Sequence, residues 1–144
     1  MSTVPAALNA LRDVWAAALA GVRVIDGPWL DSPSEPAVIV VGWLPEEGPT
    51  VDFGDAVAGL DSAREIYDVT NLASAWRGDA AMAPTRQAAD DLLEGARGAI
   101  AADPTLGGVV TRARLAAGSW SQYRTAQGTQ VTVEFTVHID AFRR

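Results

Sequence analysis

Apolar residues recur every three or four positions from Val4 to Leu19, and this spacing predicts an amphipathic helix. The apolar positions are Val4, Ala7, Leu8, Leu11, Val14, Trp15, Ala18 and Leu19. Thr3 is expected to cap this helix through its hydroxyl group. Pro5 is expected to open it, because proline lacks the backbone donor that would be unpaired in the first turn. Gly21 is expected to end it.

Three further apolar patterns predict strands. Val22 to Ile25 is short and β-branched. Ala37 to Leu44 (AVIVVGWL) is almost entirely apolar, which is typical of a strand covered on both faces, so we expect it in the middle of the sheet. Arg64 to Trp76 predicts a long strand whose apolar residues change side partway along. Either a bulge near Thr70 and Asn71 or burial by helices on one face and by a neighbour on the other would explain this change.

A second helix is predicted from Pro84 to Ala102. Its inward positions are Ala88, Ala89, Leu92, Leu93, Ala96, Ala99 and Ile100. Gly95 and Gly98 each cost roughly 1 kcal/mol relative to alanine inside a helix. Close packing against a sheet or another subunit would explain them, and so would a tolerated weakness. Pro104 prevents the helix from continuing, and the glycines at 107 and 108 permit a tight reversal into the next strand.

The last two strands are predicted at Val109 to Trp120 and Gln130 to Phe142, with a turn at Gln127-Gly128. The final strand alternates as a half-buried edge or meander strand does, with Val131, Val133, Phe135, Val137, Ile139 and Ala141 facing inward. The pattern predicts one α+β domain over residues 1–144. We expect a mostly antiparallel twisted sheet of about four to five strands packed against two main helices.

Charge is distributed unevenly along a chain whose formal net charge is −7. The segment 45–61 contains Glu46, Glu47, Asp52, Asp55 and Asp61 and no basic residue, and it is rich in glycine and proline. We interpret it as an exposed acidic loop. Because phosphate binding depends on neutralisation by arginine or lysine, specific binding of DNA or RNA is disfavoured.

The composition also limits the chemistry. The absence of cysteine excludes disulfides, thiolate metal sites and a cysteine nucleophile. No signal-peptide pattern and no apolar run of membrane-spanning length occurs, so we expect a soluble, non-secreted protein with no membrane partner.

The search for catalytic motifs is negative: the nucleophile elbow, the phosphate-binding glycine loop, the zinc-protease motif and the calcium loop are all missing from the sequence. His138 shares the polar face of the last strand with Glu134 and Asp140. This trio could hold a metal, but a solvated polar stripe would contain the same residues. The adjacent carboxylates at 46–47 and 90–91 point apart and do not converge across a cleft. We expect no catalytic residue, metal or cofactor.

The tryptophans lie in several of the predicted elements. Trp29, Trp43, Trp76 and Trp120 are spread over four of these segments. Aromatic residues in this arrangement are more often core or subunit-interface anchors than a sugar-binding platform.

The order of elements resembles the tail terminator, or tail completion, proteins of long-tailed bacteriophages, and the resemblance covers nearly the whole chain. The matching features are the helix Val4 to Leu19, the strand Ala37 to Leu44, the strand ending in AWRGD (Ala75 to Asp79), the helix closed by ADPTLGG (Ala102 to Gly108) and the strand VTVEFTVHIDA (Val131 to Ala141). The ADPTLGG segment leading into a strand is the most specific of these.

The resemblance implies a non-enzymatic virion protein, made in the host cytoplasm and located at the head-proximal end of the tail. Such a protein forms a homo-hexameric ring that stops polymerisation of the tail tube protein and joins the tail to the head-tail connector protein. Genomic DNA passes through the channel of such a ring. Acidic walls would keep DNA from adhering, and we expect Glu46, Glu47, Asp52 and Asp55 to face the lumen or a stacked ring.

Other interpretations remain open at this point. A head-tail connector (neck) protein of similar fold could have the same sequence features. A small-molecule-binding α+β module would have a closed apolar cavity between helix and sheet. An enzyme would depend on His138 together with a carboxylate, and would lose activity on His138→Ala.

Overall fold

The computed structural model describes residues 2–29, 35–53 and 63–143. Within these ranges the chain forms two helices and a sheet of six strands. The elements are α1 (Val4–Ala18), β1 (Arg23–Asp26), β2 (Ala37–Val41), β3 (Val51–Phe53), β4 (Arg64–Arg77), α2 (Met82–Ala102), β5 (Arg112–Thr125) and β6 (Gly128–Phe142). The α+β prediction is confirmed.

The strand order in the sheet is β1-β2-β4-β6-β5, and β3 pairs with the part of β4 that β2 leaves free. Strands β1 and β2 are parallel, whereas every other pairing among the described strands is antiparallel. The sixth strand, β3, lies inside the segment 45–61 that was predicted to be a loop. Its three residues are too few to give a pattern in the sequence.

The centre of the sheet is β4, so the placement of Ala37 to Leu44 in the middle was wrong. Strand β2 lies one position further out, between β1 and β4. It ends at Val41 because Gly42, with φ of 76°, turns the chain away. Its burial on both faces was predicted correctly. Ile39 packs in the core beneath the helices, and Val38 packs in a second cluster on the other face.

Of the two explanations left open for the change of side in β4, the bulge near Thr70 and Asn71 is wrong. Pairing of β4 with β6 continues without interruption from Arg64 opposite Phe142 to Arg77 opposite Thr129. The apolar residues change side because β4 buries Tyr67 and Val69 under the helices and Leu72 in the second cluster on the opposite face. The irregularity in this sheet lies in β5, between Leu115 and Gly118.

Strand β6 is flanked by β4 and β5, so it is not an edge strand. Its six predicted inward residues are all buried. The hairpin loop that precedes it consists of Ala126 and Gln127, and Gly128 already belongs to β6. A Cβ atom on Gly128 would lie 2.0 Å from the carbonyl oxygen of Arg77, so glycine is required there by close backbone approach and not by the turn.

Both helices cover the same face of the sheet. Trp15 of α1 is fully buried, packs edge-on against Phe135 at 5.8 Å between ring centroids, and donates its indole hydrogen to the carbonyl of Ala96 at 3.2 Å. Neither described helix is long and apolar enough to cross a membrane.

The two glycines of α2 have different surroundings. A Cβ atom on Gly95 would lie 2.9 Å from Cδ2 of Leu19, at the end of α1, so close packing explains this residue. A Cβ atom on Gly98 would meet nothing within 4 Å. Nothing in the described structure explains Gly98.

The N-terminus of α1 is held by a carboxylate from the sheet, so the predicted Thr3 cap is wrong. The hydroxyl of Thr3 makes no capping bond and donates instead to Glu65 at 2.8 Å. Glu65, at the start of β4, also accepts the backbone N–H of Thr3 at 2.7 Å and the hydroxyl of Ser2 at 2.8 Å. Burial acts to raise the pKa of Glu65, but these hydrogen bonds and the charge of Arg143 outweigh it, and the pKa falls below its ordinary value.

The segment ADPTLGG forms the predicted reversal between α2 and β5. Asp103 ends α2, and its carboxylate oxygens accept the backbone N–H of Gly107 at 3.0 and 3.1 Å. Leu106 is buried although its φ is 50°, and Gly107 and Gly108 follow with φ of 70° and 88°. Three successive left-handed residues bring the chain back, and glycine adopts this conformation at little cost in two of the three positions.

Candidate functional site: the helix-free face and the edges of the sheet

The face of the sheet opposite the helices carries an apolar cluster, a row of charged side chains and an open concavity. We call it the helix-free face. One half of it is apolar, formed by Val38, Val40 and Leu72 with Ile25, Trp29 and Trp43 packed against them. The other half contains charged side chains from β3, β4, β6 and β5.

The apolar half borders an open concavity of about 720 Å³. Its walls include Trp29, Trp43, Leu72 and Tyr123, and its acidic members are Glu46, Glu47 and Glu134. Trp29 and Trp43 therefore act as packing residues of this face, in line with the anchor interpretation. The buried indole nitrogen of Trp29 has no hydrogen-bond partner within the described part of the chain.

The loop that forms part of this concavity is fixed by the fully buried Asn71 of β4. The side-chain oxygen of Asn71 accepts the backbone N–H of Gly42 at 3.2 Å, and its nitrogen donates to the carbonyl of Val69 at 3.0 Å. The next residue, Trp43, donates its backbone N–H to the carbonyl of Thr70 at 2.8 Å. These bonds lie where β4 changes partner from β2 to β3, and they direct residues 43–50 out over the helix-free face.

The charged half contains a row of side chains across four strands. Asp52 on β3 lies opposite Asp68 on β4, which lies opposite His138 on β6, which lies opposite Arg114 on β5. Because side chains alternate between the faces of a sheet, all four are on the helix-free side. The ring nitrogen Nδ1 of His138 is 2.7 Å from Oδ1 of Asp68.

This row replaces the trio proposed around His138. Asp140 is held by Arg64 through bonds of 3.0 and 2.7 Å, which lower the pKa of Asp140, and Glu134 lies at the concavity. In residues 2–29, 35–53 and 63–143 no group of three or more histidine, cysteine or acidic side chains could hold a metal ion. Within the same ranges, His138 has one hydrogen-bond partner, the carboxylate of Asp68. The arrangement is that of a hydrogen-bonded pair at the surface.

The two lateral edges of the sheet differ in charge. Strand β5 forms one edge and contains Arg112, Arg114 and Arg124 with no acidic residue. The other edge is formed by β1 and β3, which contain Arg23, Asp26 and Asp52, and the loop between β2 and β3 adds Glu46 and Glu47. The ion pairs among the described residues use Arg12, Arg23, Arg64, Arg77, Arg97 and His138 as their cations.

Each edge also has at least one exposed aromatic side chain. Phe53, on β3, is 50% exposed and packs against the ring of Tyr67 at 5.3 Å between centroids. Trp120 and Tyr123, on β5, are 45% and 50% exposed. Exposed aromatic residues at a free strand edge are typical of protein interfaces.

A second concavity of about 560 Å³ lies between α2 and β5, and we call it the β5 groove. Its walls include Ile100, Pro104, Ala113 and Leu115, with Arg97 and Arg114 also lining it. The β5 groove was not predicted. The absence of acidic residues from β5 is readable in the sequence, but the groove arises only when the helix and the strand meet.

The four acidic residues singled out in the sequence do not form one cluster in the described structure. Glu46 and Glu47 are exposed and lie together at the larger concavity. Asp52 is exposed on β3, at the edge of the sheet. Asp55 lies outside the described residues.

Comparison with known proteins gives similarity to solved structures. No protein-family model matches the sequence, and no curated protein matches it. Among solved structures, the chain is similar to one chain of the virion of a native gene transfer agent particle, with 14% sequence identity and a TM-score of 0.37. The match covers 89% of this chain and 84% of that chain.

Proposed function

We propose that this chain is a structural component of a phage-like virion, and specifically that it caps the head-proximal end of a tail tube as a ring. The ring ends tube polymerisation and joins the tail to the head connector. The observation that carries the proposal is that, among the described residues, the sheet has one face without helices and two lateral edges of different charge. The sequence resemblance to tail terminator proteins supports the same role.

Unlike edges favour a ring over a two-fold dimer. A contact between two different surfaces of one protein is heterologous, and when its rotation closes, it generates a ring with two different ends. Such a ring can bind a tube with one end and a connector with the other. Its function depends on surfaces.

In this proposal Glu46 and Glu47 face the lumen or a stacked ring. Both are exposed at the border of the larger concavity, on a loop that Asn71 holds in place. An acidic lumen repels DNA phosphates and lets the genome pass.

The direct experiment is assembly of purified tail tube protein with and without this chain. Tubes polymerised alone should grow to variable length, whereas tubes formed in its presence should be shorter and carry a distinct ring at one end in negative-stain images. Unchanged tube lengths and bare tube ends at saturating protein would refute the proposal.

The charge assignment has its own test in virions. Glu46→Arg with Glu47→Arg should lower infectivity at least about tenfold by retaining DNA or blocking ring stacking. Asp90→Arg with Asp91→Arg, which reverses an adjacent acidic pair on α2, is the matched control. Wild-type infectivity of the first variant would contradict the assignment.

A small-molecule-binding module is the second candidate. The observation that favours it is the open concavity of about 720 Å³ with aromatic walls on the helix-free face, not the closed cavity between helix and sheet that was expected for such a module. A screen of metabolites by thermal shift tests it. A ligand that raises the melting temperature, and loses this effect on Trp43→Ala, would support this candidate over the tail role.

A further inference from the structure

Residues at the two edges of the sheet lie in the same cross-strand rows. The proposed contact between copies of the chain starts from this alignment. Asp52 and Arg114 are the two ends of one cross-strand row. Phe53 and Ala113 are the two ends of the next row, through Tyr67 and Ile139. A neighbouring copy displaced along these rows would bring its β3 beside the first residues of β5.

We propose that β3 of one copy docks against β5 of the next, with Phe53 in the β5 groove and Asp52 against Arg114. This inference rests on the proposed function and specifies the contact that closes the ring. It assigns Asp52 to the lateral contact and leaves Glu46 and Glu47 on the exposed loop.

Shape supports this occupant. The ring of Phe53 is half-exposed at the β3 edge. It lies on the helix side of the sheet, because Phe53 is the cross-strand partner of the buried Tyr67. The β5 groove opens at the other edge, also on the helix side, where Ala113 and Leu115 meet Ile100 of α2. An aromatic ring seated in an apolar groove at an interface is the usual form of a binding hot spot.

Charge supports it independently. Arg97, Arg112 and Arg114 border the β5 groove in a protein of net charge −7. By the alternation along β5, Arg112 and Arg114 are on the helix-free side of the strand, the side that Asp52 also follows. Arg112 and Arg114 take part in none of the ion pairs among the described residues. Asp52 is exposed beside Phe53 and would approach these guanidinium groups from the neighbouring copy, and complementary charge fixes the register of such a contact.

Strand direction is compatible with the same contact. Strand β3 is antiparallel to β4, β4 to β6 and β6 to β5, so β3 and β5 run in opposite directions. With Asp52 opposite Arg114, an antiparallel approach places Phe53 at Ala113 and Val51 at Leu115, which preserves all three rows.

The contact is limited to the first part of β5. Strand β3 pairs directly with β4, whereas β2 lies between β1 and β4, so this edge of the sheet has a step. A neighbour's β5 that lies beside β3 therefore cannot also continue along β1 in the plane of the sheet. The register shift between Leu115 and Gly118 begins where the row of Val51 and Leu115 ends the contact. An irregularity of this kind bends a strand. Residues Arg112 to Leu115 therefore form the contact, and the part of β5 beyond the irregularity diverges from it.

Disulfide crosslinking tests the contact directly, because the chain has no native cysteine. Directly opposed residues in an antiparallel pair lie about 4.5 to 5.5 Å apart at Cα, which suits a disulfide. Asp52→Cys and Arg114→Cys proteins should each stay monomeric on a non-reducing gel. Their mixture should form a covalent dimer, both free in solution at high concentration and when bound to tail tubes.

One control variant and three outcomes decide the crosslinking experiment. Arg86→Cys, on an exposed position of α2, replaces Arg114→Cys as the matched control and should give no dimer with Asp52→Cys. Dimers of Arg114→Cys alone would mean a two-fold β5 contact and would overturn the inference. A mixture that caps tubes without crosslinking overturns the inference and leaves the proposed function intact. A mixture that neither crosslinks nor caps tubes refutes both.

Truncating the aromatic side chain is a second measurement. Phe53→Ala should weaken self-association at least about tenfold, as loss of a hot-spot side chain does. Phe142→Ala removes a ring of similar exposure, 57% against 50%, from β6 and should change association less than about twofold. Equal association of the two variants would contradict seating of Phe53 in the β5 groove.

Discussion

At the scale of single residues, Glu65 links a strand to the start of a helix. It holds the N-terminus of α1 through the backbone and hydroxyl of Thr3 and through Ser2. A carboxylate at a helix N-terminus is also favoured by the helix dipole. The contact joins residues more than sixty positions apart, which explains why capping rules based on neighbouring residues assigned Thr3 the wrong role.

Glu65 should make stability dependent on pH. Its pKa in the folded chain is below the ordinary value of 4.5, so its contribution is fully present above that pH and is lost as the pH falls through the folded value. Glu65→Gln should lower the free energy of unfolding at pH 7 by about 1 to 3 kcal/mol and flatten the loss on acidification. Urea unfolding between pH 7 and pH 3 measures both.

Glu134→Gln is the matched control for this change, because it removes a partly buried carboxylate from another strand of the same sheet. It should leave the acid dependence of unfolding almost intact. If Glu65→Gln and wild type lose stability in parallel on acidification, Glu65 is not the responsible group.

The two glycines of α2, three residues apart, should respond differently to replacement by alanine. Gly98→Ala should raise the free energy of unfolding by about 0.5 to 1 kcal/mol, because alanine loses less backbone entropy and its Cβ meets nothing there. Gly95→Ala should gain less or destabilise, because Leu19 must move away from the new Cβ. Thermal unfolding of the two variants compares them, and equal shifts would contradict the packing account.

At the scale of elements, Asn71 controls how the edge of β4 is shared between β2 and β3. Asn71→Ala removes the partner of the Gly42 amide inside the protein, and we expect a loss of about 2 to 3 kcal/mol in the free energy of unfolding. Hydrogen exchange at Gly42 should accelerate with it. Ser74→Ala, which removes another fully buried polar group of β4, is the control and should leave exchange at Gly42 unchanged.

Local pattern predicted both helices and five of the strands, because each has a helical period, an alternation or a run of apolar or β-branched residues. It failed where contacts across the sheet decide the structure. The change of side in β4 is read correctly only when the helices are known to cover one face of the strand and Trp29 and Trp43 to pack beside Leu72 on the other. The sequence also did not predict the irregularity in β5, which appears only as a register shift against β6.

The candidate site was predicted less well than the fold. The acidic segment was recognised, but its members separate between the larger concavity and the β3 edge, since a three-residue strand moves Asp52 away from Glu46. The partner of His138 was missed because Asp68 belongs to a strand seventy residues earlier. Such pairs depend on register, which one sequence without its fold does not supply.

At the scale of the whole molecule, the sheet should be most stable at its centre. Strands β4 and β6 pair along their whole shared length, whereas β1 and β3 are short and lie at the periphery. Native-state hydrogen exchange should therefore protect amides of β4 and β6 most and those of β1 and β3 least. Assembly into a ring should slow exchange selectively in Val51–Phe53 and in the first residues of β5, and equal slowing at every edge would contradict the proposed contact.

The position of β6 has a consequence during synthesis on the ribosome. Strand β6 follows β4 and β5 in the chain and is inserted between them, and until it is made β4 and β5 have no common neighbour. Until that point β5 and one edge of β4 stay unpaired, a state in which nascent chains are prone to aggregate or to bind chaperones. Chains that end before β6 cannot complete the sheet, so premature termination products should be cleared by proteolysis.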